Sequence, residues 1–111
     1  MEVTFSTAKL HKICNSASKL RGEYGPRMAA VIQQRLYELA AAETLADMFT
    51  VVGARCHPLT QNLKGLYAVH LVHPDRLAFK PAHDPLPLRP DKGLDVSQVT
   101  AVEVVGIGDY H

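Results

Sequence analysis

The sequence predicts an α+β fold, with an N-terminal strand and a helix pair packed on one face of a small, mainly antiparallel β-sheet. Two observations predict this class. Apolar residues recur at helical spacing in the first half of the chain, and they alternate with polar residues in the second half. The 111 residues form a chain of single-domain length, and we expect one domain over residues 1–111 with its own core.

The first half predicts one strand followed by two helices. Residues 2–6 alternate in polarity as a short strand does, and Thr7 can cap a helix that begins near Ala8. Gly22 can end this helix, and Pro26 is a favourable first-turn residue for the next one. The apolar stripes of the two helices are Leu10, Ile13, Cys14, Ala17 and Leu20 in the first, and Met28, Ile32, Leu36 and Leu39 in the second.

The second half predicts a sheet. After a short helical turn capped by Thr44, glycine and proline residues divide the chain into brief extended segments. The segments are a short extended piece at 55–59, a polar turn at 60–65, a hairpin of strands 66–72 and 76–80, a long proline-rich loop at about 81–98, and a last strand at 99–107. In the second hairpin strand, Leu77 and Phe79 should point inward, with Arg76 and Lys80 on the opposite face.

Composition narrows the class of protein. The chain is 47% hydrophobic and 21% charged, as globular domains are, and it lacks both a bilayer-spanning apolar stretch and a signal-peptide pattern. We therefore expect a cytoplasmic protein without a membrane partner. Two cysteines, Cys14 and Cys56, are too few for a disulfide framework, and we expect both to be buried thiols. A net charge of +1 is low for a protein that binds many phosphates, so its charge must be unevenly placed or a partner must supply part of the recognition.

Five polar residues stand where the strands should present them away from the helices. His57 lies at a strand end, Arg76 begins a hairpin strand, and Asp109, Tyr110 and His111 follow the last strand. If these strands are neighbours, two imidazoles, a guanidinium, a carboxylate and a phenol meet on the open side of the sheet. RNA cleavage without a metal needs such groups, because the 2′-hydroxyl must lose a proton, the 5′-oxygen must gain one, and the phosphorane needs a fixed cation.

Each of these residues also has an ordinary structural explanation. His57 can be a strand-end residue, Arg76 a solvated strand residue, and Asp109 a turn former. Tyr110 can be a core ring with its hydroxyl outward, and a terminal His111 can be frayed. By spacing alone, no pair of the five is a specific motif.

The stretch from Arg55 to Phe79 resembles the HigB branch of the RelE superfamily, the toxins of bacterial type II toxin–antitoxin systems, also called plasmid maintenance or host-killing proteins. The resemblance covers nearly the whole chain and is weakest in the loop at 81–98. Its most distinctive part is the ending Asp109-Tyr110-His111. The other matching segments are His57-Pro58-Leu59, Lys64-Gly65-Leu66-Tyr67-Ala68-Val69 and Arg76-Leu77-Ala78-Phe79.

The resemblance implies a RelE-like fold and an endoribonuclease that enters the ribosomal A site, cuts messenger RNA without a metal or other cofactor, and so inhibits translation. The implied product is a 2′,3′-cyclic phosphate. The implied partners are the ribosome, the messenger RNA and a helix-turn-helix, HigA-like antitoxin, with operator DNA contacted only through the antitoxin.

Site roles follow from the resemblance by position. His57 and His111 are implied as the acid and base, and Arg76 as the phosphate clamp. Asp109 and Tyr110 are implied to orient the terminal histidine and the substrate. Two further cations, Lys64 and Arg55, are implied to bind RNA.

The chain departs from this family in the loop after Leu59. Thr60, Gln61 and Leu63 stand where family members often carry lysine, glycine and a basic residue, so weaker RNA binding is expected, with Lys64 as partial compensation. Two alternatives stay open. One is an attenuated toxin-fold module that binds antitoxin but cleaves weakly, and the other is a ParE-like toxin that binds DNA gyrase and needs no catalytic histidine.

A metal site is a further option, at His70, His73 and His83-Asp84. These residues lack the spacing of a zinc motif, so no metal is expected. His70 is instead expected on an outward strand face, together with Ala68.

Overall fold

The computed structural model describes residues 1–110, and His111 lies outside the described residues. Helices and a five-stranded sheet pack into an α+β fold, which confirms the predicted class. In chain order the elements are β1 (Glu2–Phe5), α1 (Ala8–Cys14), α2 (Ala17–Ala41), α3 (Leu45–Met48), β2 (His57–Pro58), β3 (Tyr67–His70), β4 (Arg76–Pro81) and β5 (Ala101–Gly108), with 3₁₀ turns at Gln61–Leu63 and Val96–Gln98.

The sheet is mixed and mostly antiparallel. Its strand order is β1-β5-β4-β3-β2, with β1 parallel to β5 and every other neighbouring pair antiparallel. The predicted hairpin is confirmed by the antiparallel pairing of β3 with β4. On β5, Val105 is an extra residue, because Ala78 pairs with Gly106 while Phe79 pairs with Val104. This bulge changes the register just before the end of β5.

The core lies between the helices and one face of the sheet. As predicted, Leu77 and Phe79 of β4 are fully buried. They belong to the larger of two apolar clusters, whose buried members are Leu39, Leu45, Met48, Ala54, Cys56, Val69, Leu77, Phe79, Val99, Val102 and Val104. The smaller cluster is formed by Leu20, Met28, Ala29 and Ile32 of α2, and Leu36 and Ile107 pack against both. The helices therefore cover one face of the sheet, as the two apolar stripes indicated.

The first helix is shorter than the sequence predicted. It ends at Cys14 and not near Gly22, although the apolar stripe continues. The Asn15 side-chain amide donates to the His11 carbonyl oxygen at 2.7 Å, and the Ser16 hydroxyl accepts a hydrogen bond at 3.2 Å from the first turn of α2. These two adjacent capping residues end one helix and start the next, because they satisfy backbone groups that the helix termini leave unpaired.

The helix break that was predicted at Gly22 lies three residues later, at Gly25. Gly22 is inside α2, whereas Gly25 adopts φ 81° and ψ 161°, a conformation that favours glycine, and kinks the helix. Pro26 then begins the second part of α2, as expected of a first-turn proline.

The segment between β4 and β5 carries little regular structure, as predicted. It contains one 3₁₀ turn and a single antiparallel bridge between Leu88 and Leu94. Within residues 1–110, no helix is long and apolar enough to cross a lipid bilayer.

Candidate functional site on the open face of the sheet

The register of the strands decides which residues share the face turned away from the core. Directly paired residues lie on the same side of a sheet, and so do alternate residues along one strand. The pairings place two neighbouring rows of residues on this side. The first row is His57, Ala68, Ala78 and Gly106, and the second is His70, Arg76 and Gly108. We call these seven residues the open face. Alanine and glycine residues form its middle, and Ala68 and Ala78 are fully buried, so larger side chains cover this floor of small residues.

His57 is held by a turn in the chain just before β2. Its Nδ1 atom lies 2.7 Å from the carbonyl oxygen of Arg55. A carbonyl oxygen only accepts, so Nδ1 carries the hydrogen in this arrangement and Nε2 is left to exchange a proton. Arg55 has a φ of 47°, so the extended segment predicted over 55–59 is wrong at this residue. Only His57–Pro58 pairs with β3.

His70 is the second imidazole of the open face. Its ring centroid lies 5.7 Å from that of His57, and the two rings are nearly perpendicular, at 84°. The backbone of His70 is fixed on both sides. Its N–H donates to the carbonyl oxygen of Ala54 at 2.7 Å, and its carbonyl oxygen accepts from Nε of Arg35 at 2.7 Å. The ring therefore projects from a strand position that is held by two short hydrogen bonds.

The electrostatic environment of His70 is positive. Burial lowers the pKa of His70 from its ordinary value of 6.5, and neighbouring positive charges lower this pKa further. These charges belong to Arg76, His57, Arg55 and Arg35. A histidine with a lowered pKa is mainly neutral at pH 7, so His70 has a lone pair that can accept a proton.

Arg76 joins the open face to the C-terminal segment. Its Nη1 atom donates to the carbonyl oxygen of Tyr110 at 2.7 Å, and Arg76 pairs with both His70 and Gly108 in the sheet. A guanidinium has further N–H groups besides the one used here, and their planar arrangement suits two phosphate oxygens.

The ring of Tyr110 lies over the end of β5. A Cβ atom at Gly106 would overlap the Tyr110 hydroxyl, and one at Gly108 would lie 3.9 Å from the ring carbon Cε2. The absence of a side chain at Gly106 is therefore what allows the ring to lie this close to the strand. Tyr110 is also one of the neighbours that raise the pKa of Tyr24, after the larger effects of burial, Cys14, Glu23 and Asp75. The tyrosine of the predicted site thus lies beside Arg76 at the edge of the open face.

The structure unites part of the predicted site. His57, Arg76 and Tyr110 come together, and Arg55 joins them through its carbonyl oxygen and its charge. Asp109 is exposed between β5 and Tyr110. The prediction for His111 falls outside the described residues.

Lys64 is placed elsewhere. It lines a cavity of about 440 Å³ together with Tyr67, Leu94 and other residues of the long loop. Another lysine, Lys80, lies further along β4 from the open face and forms an ion pair with Glu103 at 3.5 Å. The cations and imidazoles near His70 are thus concentrated at one end of the sheet.

The site predicted from the sequence did not include His70, although the structure places His70 next to His57 and Arg76. Alternation in β3 did indicate that His70 shares a face with Ala68, and the structure confirms it. The missing information was the register of the hairpin, which pairs His70 with Arg76 and brings it diagonally opposite His57.

Neither a known family model nor a curated protein matches this chain. The function is therefore inferred from the chemistry of the open face, together with the resemblance of its residues to the HigB pattern.

Proposed function

We propose that this protein is an RNA-cleaving toxin whose active site is the open face of the sheet. The observation that carries the proposal is the placement of His57, Arg76 and Tyr110, from three separate segments of the chain, on one side of four adjacent strands. This set contains a proton-transfer group, a fixed cation and an aromatic ring, which are the groups that RNA cleavage by the 2′-hydroxyl uses.

The proposed reaction is a transfer of phosphorus from the 5′-oxygen to the 2′-oxygen. A base removes the 2′-hydroxyl proton as the O2′–P bond forms, and an acid gives a proton to the 5′-oxygen as the P–O5′ bond breaks. The products are a 2′,3′-cyclic phosphate and a 5′-hydroxyl. Each positioned acid or base contributes roughly 10²- to 10⁴-fold to such a rate. His57 supplies one of these groups through Nε2, and the HigB resemblance assigns the other to His111, with Asp109 orienting it.

Arg76 stabilises the phosphorane in this proposal. Its guanidinium is positioned by the Tyr110 carbonyl and lies next to His70, and its remaining N–H groups face the charge that develops on the non-bridging oxygens. The Tyr110 ring beside it offers a surface on which a base can stack.

Ribosome dependence completes the proposal. With a net charge of +1, the protein has little electrostatic attraction for RNA as a whole, so a ribosome that presents the messenger in its A site supplies the missing binding. The HigB resemblance supports this mode of action, as well as a helix-turn-helix, HigA-like antitoxin as the neutralising partner and the cytoplasm as the site of action.

The test is induced expression in a bacterial host, with mapping of RNA ends. The wild-type chain should arrest growth and produce new messenger ends within translated codons. His57→Gln and Arg76→Gln should abolish both effects while antitoxin still binds. His73→Gln is the matched control, since His73 is exposed in the turn between β3 and β4.

Three outcomes would contradict the proposal. Full toxicity of His57→Gln would remove His57 from the chemistry. Inhibited DNA supercoiling with intact messengers would favour a gyrase-binding toxin. Normal growth with abundant wild-type protein would favour an attenuated module, the alternative that Thr60 and Leu63 already support because they replace expected cations.

A further inference from the structure

We propose that His70, and not His111, is the general base of this site, and that His57 is the general acid. This inference rests on the proposed RNA cleavage and deepens it by naming the second proton-transfer group among the described residues.

The geometry of the two rings carries the inference. They lie on adjacent strands, on the same face, with centroids 5.7 Å apart and planes at 84°, so they do not stack on each other. In an in-line displacement the attacking and leaving oxygens are on opposite sides of the phosphorus. The two imidazoles are in edge-to-face contact, so each can reach one of those oxygens of a phosphate that lies over the pair on the open face.

The position of Arg76 supports the same reading. Arg76 is the direct cross-strand partner of His70, so its guanidinium belongs beside the imidazole on the open face. A phosphate bound by this guanidinium is therefore next to His70. The cation that binds the phosphate and the base that activates the neighbouring hydroxyl come from paired residues of one hairpin.

His70 is also held firmly enough to act as a base. Both of its backbone polar groups make 2.7 Å hydrogen bonds, one to the loop before β2 and one to the Arg35 side chain of α2. A proton-transfer group has to be kept close to its productive position, and a residue on a clamped strand meets this need better than a residue of a free loop.

The charges around His70 and the hydrogen bond of His57 separate the roles of the two histidines. The groups that face His70 are Arg76 on β4, His57 on β2, Arg55 before β2 and Arg35 on α2. All are cationic or become so on protonation, and together with burial they lower the pKa of His70 and keep it neutral. His57 differs because its Nδ1–H is fixed on the Arg55 carbonyl oxygen, so its protonated form has one free N–H, at Nε2, to donate.

The proton balance is then complete. His70 takes the proton of the 2′-hydroxyl as O2′ bonds to phosphorus. Protonated His57 gives its Nε2 proton to O5′ as the P–O5′ bond breaks. After the reaction His70 is protonated and His57 is neutral, and exchange with water restores both.

The experiment compares two messengers that differ in one atom. The site cut by the wild-type protein on programmed ribosomes is mapped first. A second messenger then carries sulfur in place of the bridging 5′-oxygen at that site. A thiolate is a much weaker base than an alkoxide and leaves without a proton, so this substrate makes the general acid unnecessary and leaves the general base essential.

We expect His70→Gln to slow cleavage of the oxygen substrate by about 10²- to 10⁴-fold, with no recovery on the sulfur substrate. His57→Gln should lose a similar factor on the oxygen substrate and recover on the sulfur one. The wild-type rate should fall at low pH as His70 becomes protonated, and His70→Gln should lose this limb of the pH profile. His73→Gln should behave as wild type, and equal thermal unfolding of all variants shows that the fold is kept.

Two results would overturn the inference while leaving RNA cleavage intact. The first is a wild-type rate and pH profile for His70→Gln, which returns the role to His111. The second is recovery of His70→Gln on the sulfur substrate, which makes His70 the acid. Absence of cleavage by the wild-type protein on programmed ribosomes is a different result, because it overturns the proposed function and this inference with it.

Discussion

At the scale of single residues, one glycine at the end of β5 controls how the C-terminal segment lies on the sheet. Gly106 is covered by the side chain of Tyr110. The backbone carbonyl oxygen of Tyr110 accepts a hydrogen bond from Arg76. A side chain at Gly106 displaces the tyrosine ring, and the backbone of the same tyrosine accepts the hydrogen bond from Arg76, the proposed phosphate clamp. Gly106 therefore influences the shape of the proposed site.

The first prediction compares Gly106→Ala with Gly108→Ala. The Cβ of the former overlaps the Tyr110 hydroxyl, whereas the Cβ of the latter stands at an ordinary 3.9 Å from the ring. Gly106→Ala should therefore shift the Tyr110 ring resonances and weaken RNA binding by at least several-fold, and Gly108→Ala should leave the Tyr110 ring resonances unshifted. NMR of the tyrosine rings and a binding titration measure both effects. Equal behaviour of the two variants would show that the ring does not depend on the gap at Gly106.

The second prediction concerns the titration of His70. Its pKa is lowered in the folded state by burial and by Arg76, among other cations. Its NMR midpoint should lie below 6.5, and Arg76→Gln should raise it because a positive charge is removed. Arg27→Gln, an exposed change on α2, should leave the midpoint unmoved. A His70 midpoint at or above 6.5 would contradict the environment described.

The same shift has a consequence for stability. A folded pKa below the unfolded one means that the unfolded chain binds the proton more readily, so the contribution of His70 to stability is full above the unfolded pKa of about 6.5. It decreases as the pH falls below that value towards the folded pKa.

At the scale of elements, one arginine connects the helix layer to strand β3. Arg35 of α2 donates to the His70 carbonyl oxygen at 2.7 Å and to the Gly53 carbonyl oxygen at 2.9 Å, and it pairs with Glu38 at 3.0 Å. Its side chain is only 13% exposed, so these bonds are poorly replaced by water. Arg35 therefore fixes the end of β3 from which His70 projects.

The third prediction follows from this connection. Arg35→Met keeps much of the side-chain volume but leaves two backbone carbonyls and Glu38 without their donor. It should lower the free energy of unfolding by about 1–3 kcal/mol and increase amide exchange at the end of β3. Arg27→Met, on the exposed side of α2, should change stability by less than about 0.5 kcal/mol. Chemical denaturation and hydrogen exchange provide the two readouts. An Arg35→Met variant as stable as the wild type would show that the connection is not structural.

The helices and strands also show which features of the fold could be predicted from the sequence. The strand alternation correctly assigned the inward Leu77 and Phe79, because burial of one sheet face imposes a period of two. The end of α1 was predicted wrongly, because the apolar stripe continues past the break and the decision lies in side-chain hydrogen bonds of Asn15 and Ser16. Periodicity reports burial, and it does not report the local capping that divides a helix.

At the scale of the whole molecule, the residues of the proposed site are far apart in the sequence. His57, His70 and Arg76 are brought together by the pairing of three strands, while Tyr110 returns from the far end of the chain. Individual candidates such as His57 and Arg76 were recognisable from their strand positions and from the HigB resemblance. The partnership of His57 with His70 depends on the register of β2 with β3, and that of His70 with Arg76 on the register of β3 with β4, which no local pattern fixes.

The fourth prediction uses the uneven charge of the molecule. Its net charge is +1, but Arg55 and Arg76 are gathered with two histidines at one end of the open face. RNA binding by the isolated protein should therefore involve few phosphates. The logarithm of the affinity should fall against the logarithm of salt concentration with a slope of about −1 to −2, and Arg76→Gln should reduce this slope by roughly 0.7. A slope several times steeper, unchanged in Arg76→Gln, would place RNA binding on another surface.

The central claim is that the open face cleaves RNA by attack of the 2′-hydroxyl, and the end groups of the product test it most directly. Messenger RNA on programmed ribosomes is treated with the purified protein, and the new ends are identified chemically. The account predicts a 2′,3′-cyclic phosphate and a 5′-hydroxyl from the wild-type protein, with neither formed by His57→Gln. A 5′-phosphate end, or the same products from His57→Gln, would contradict it.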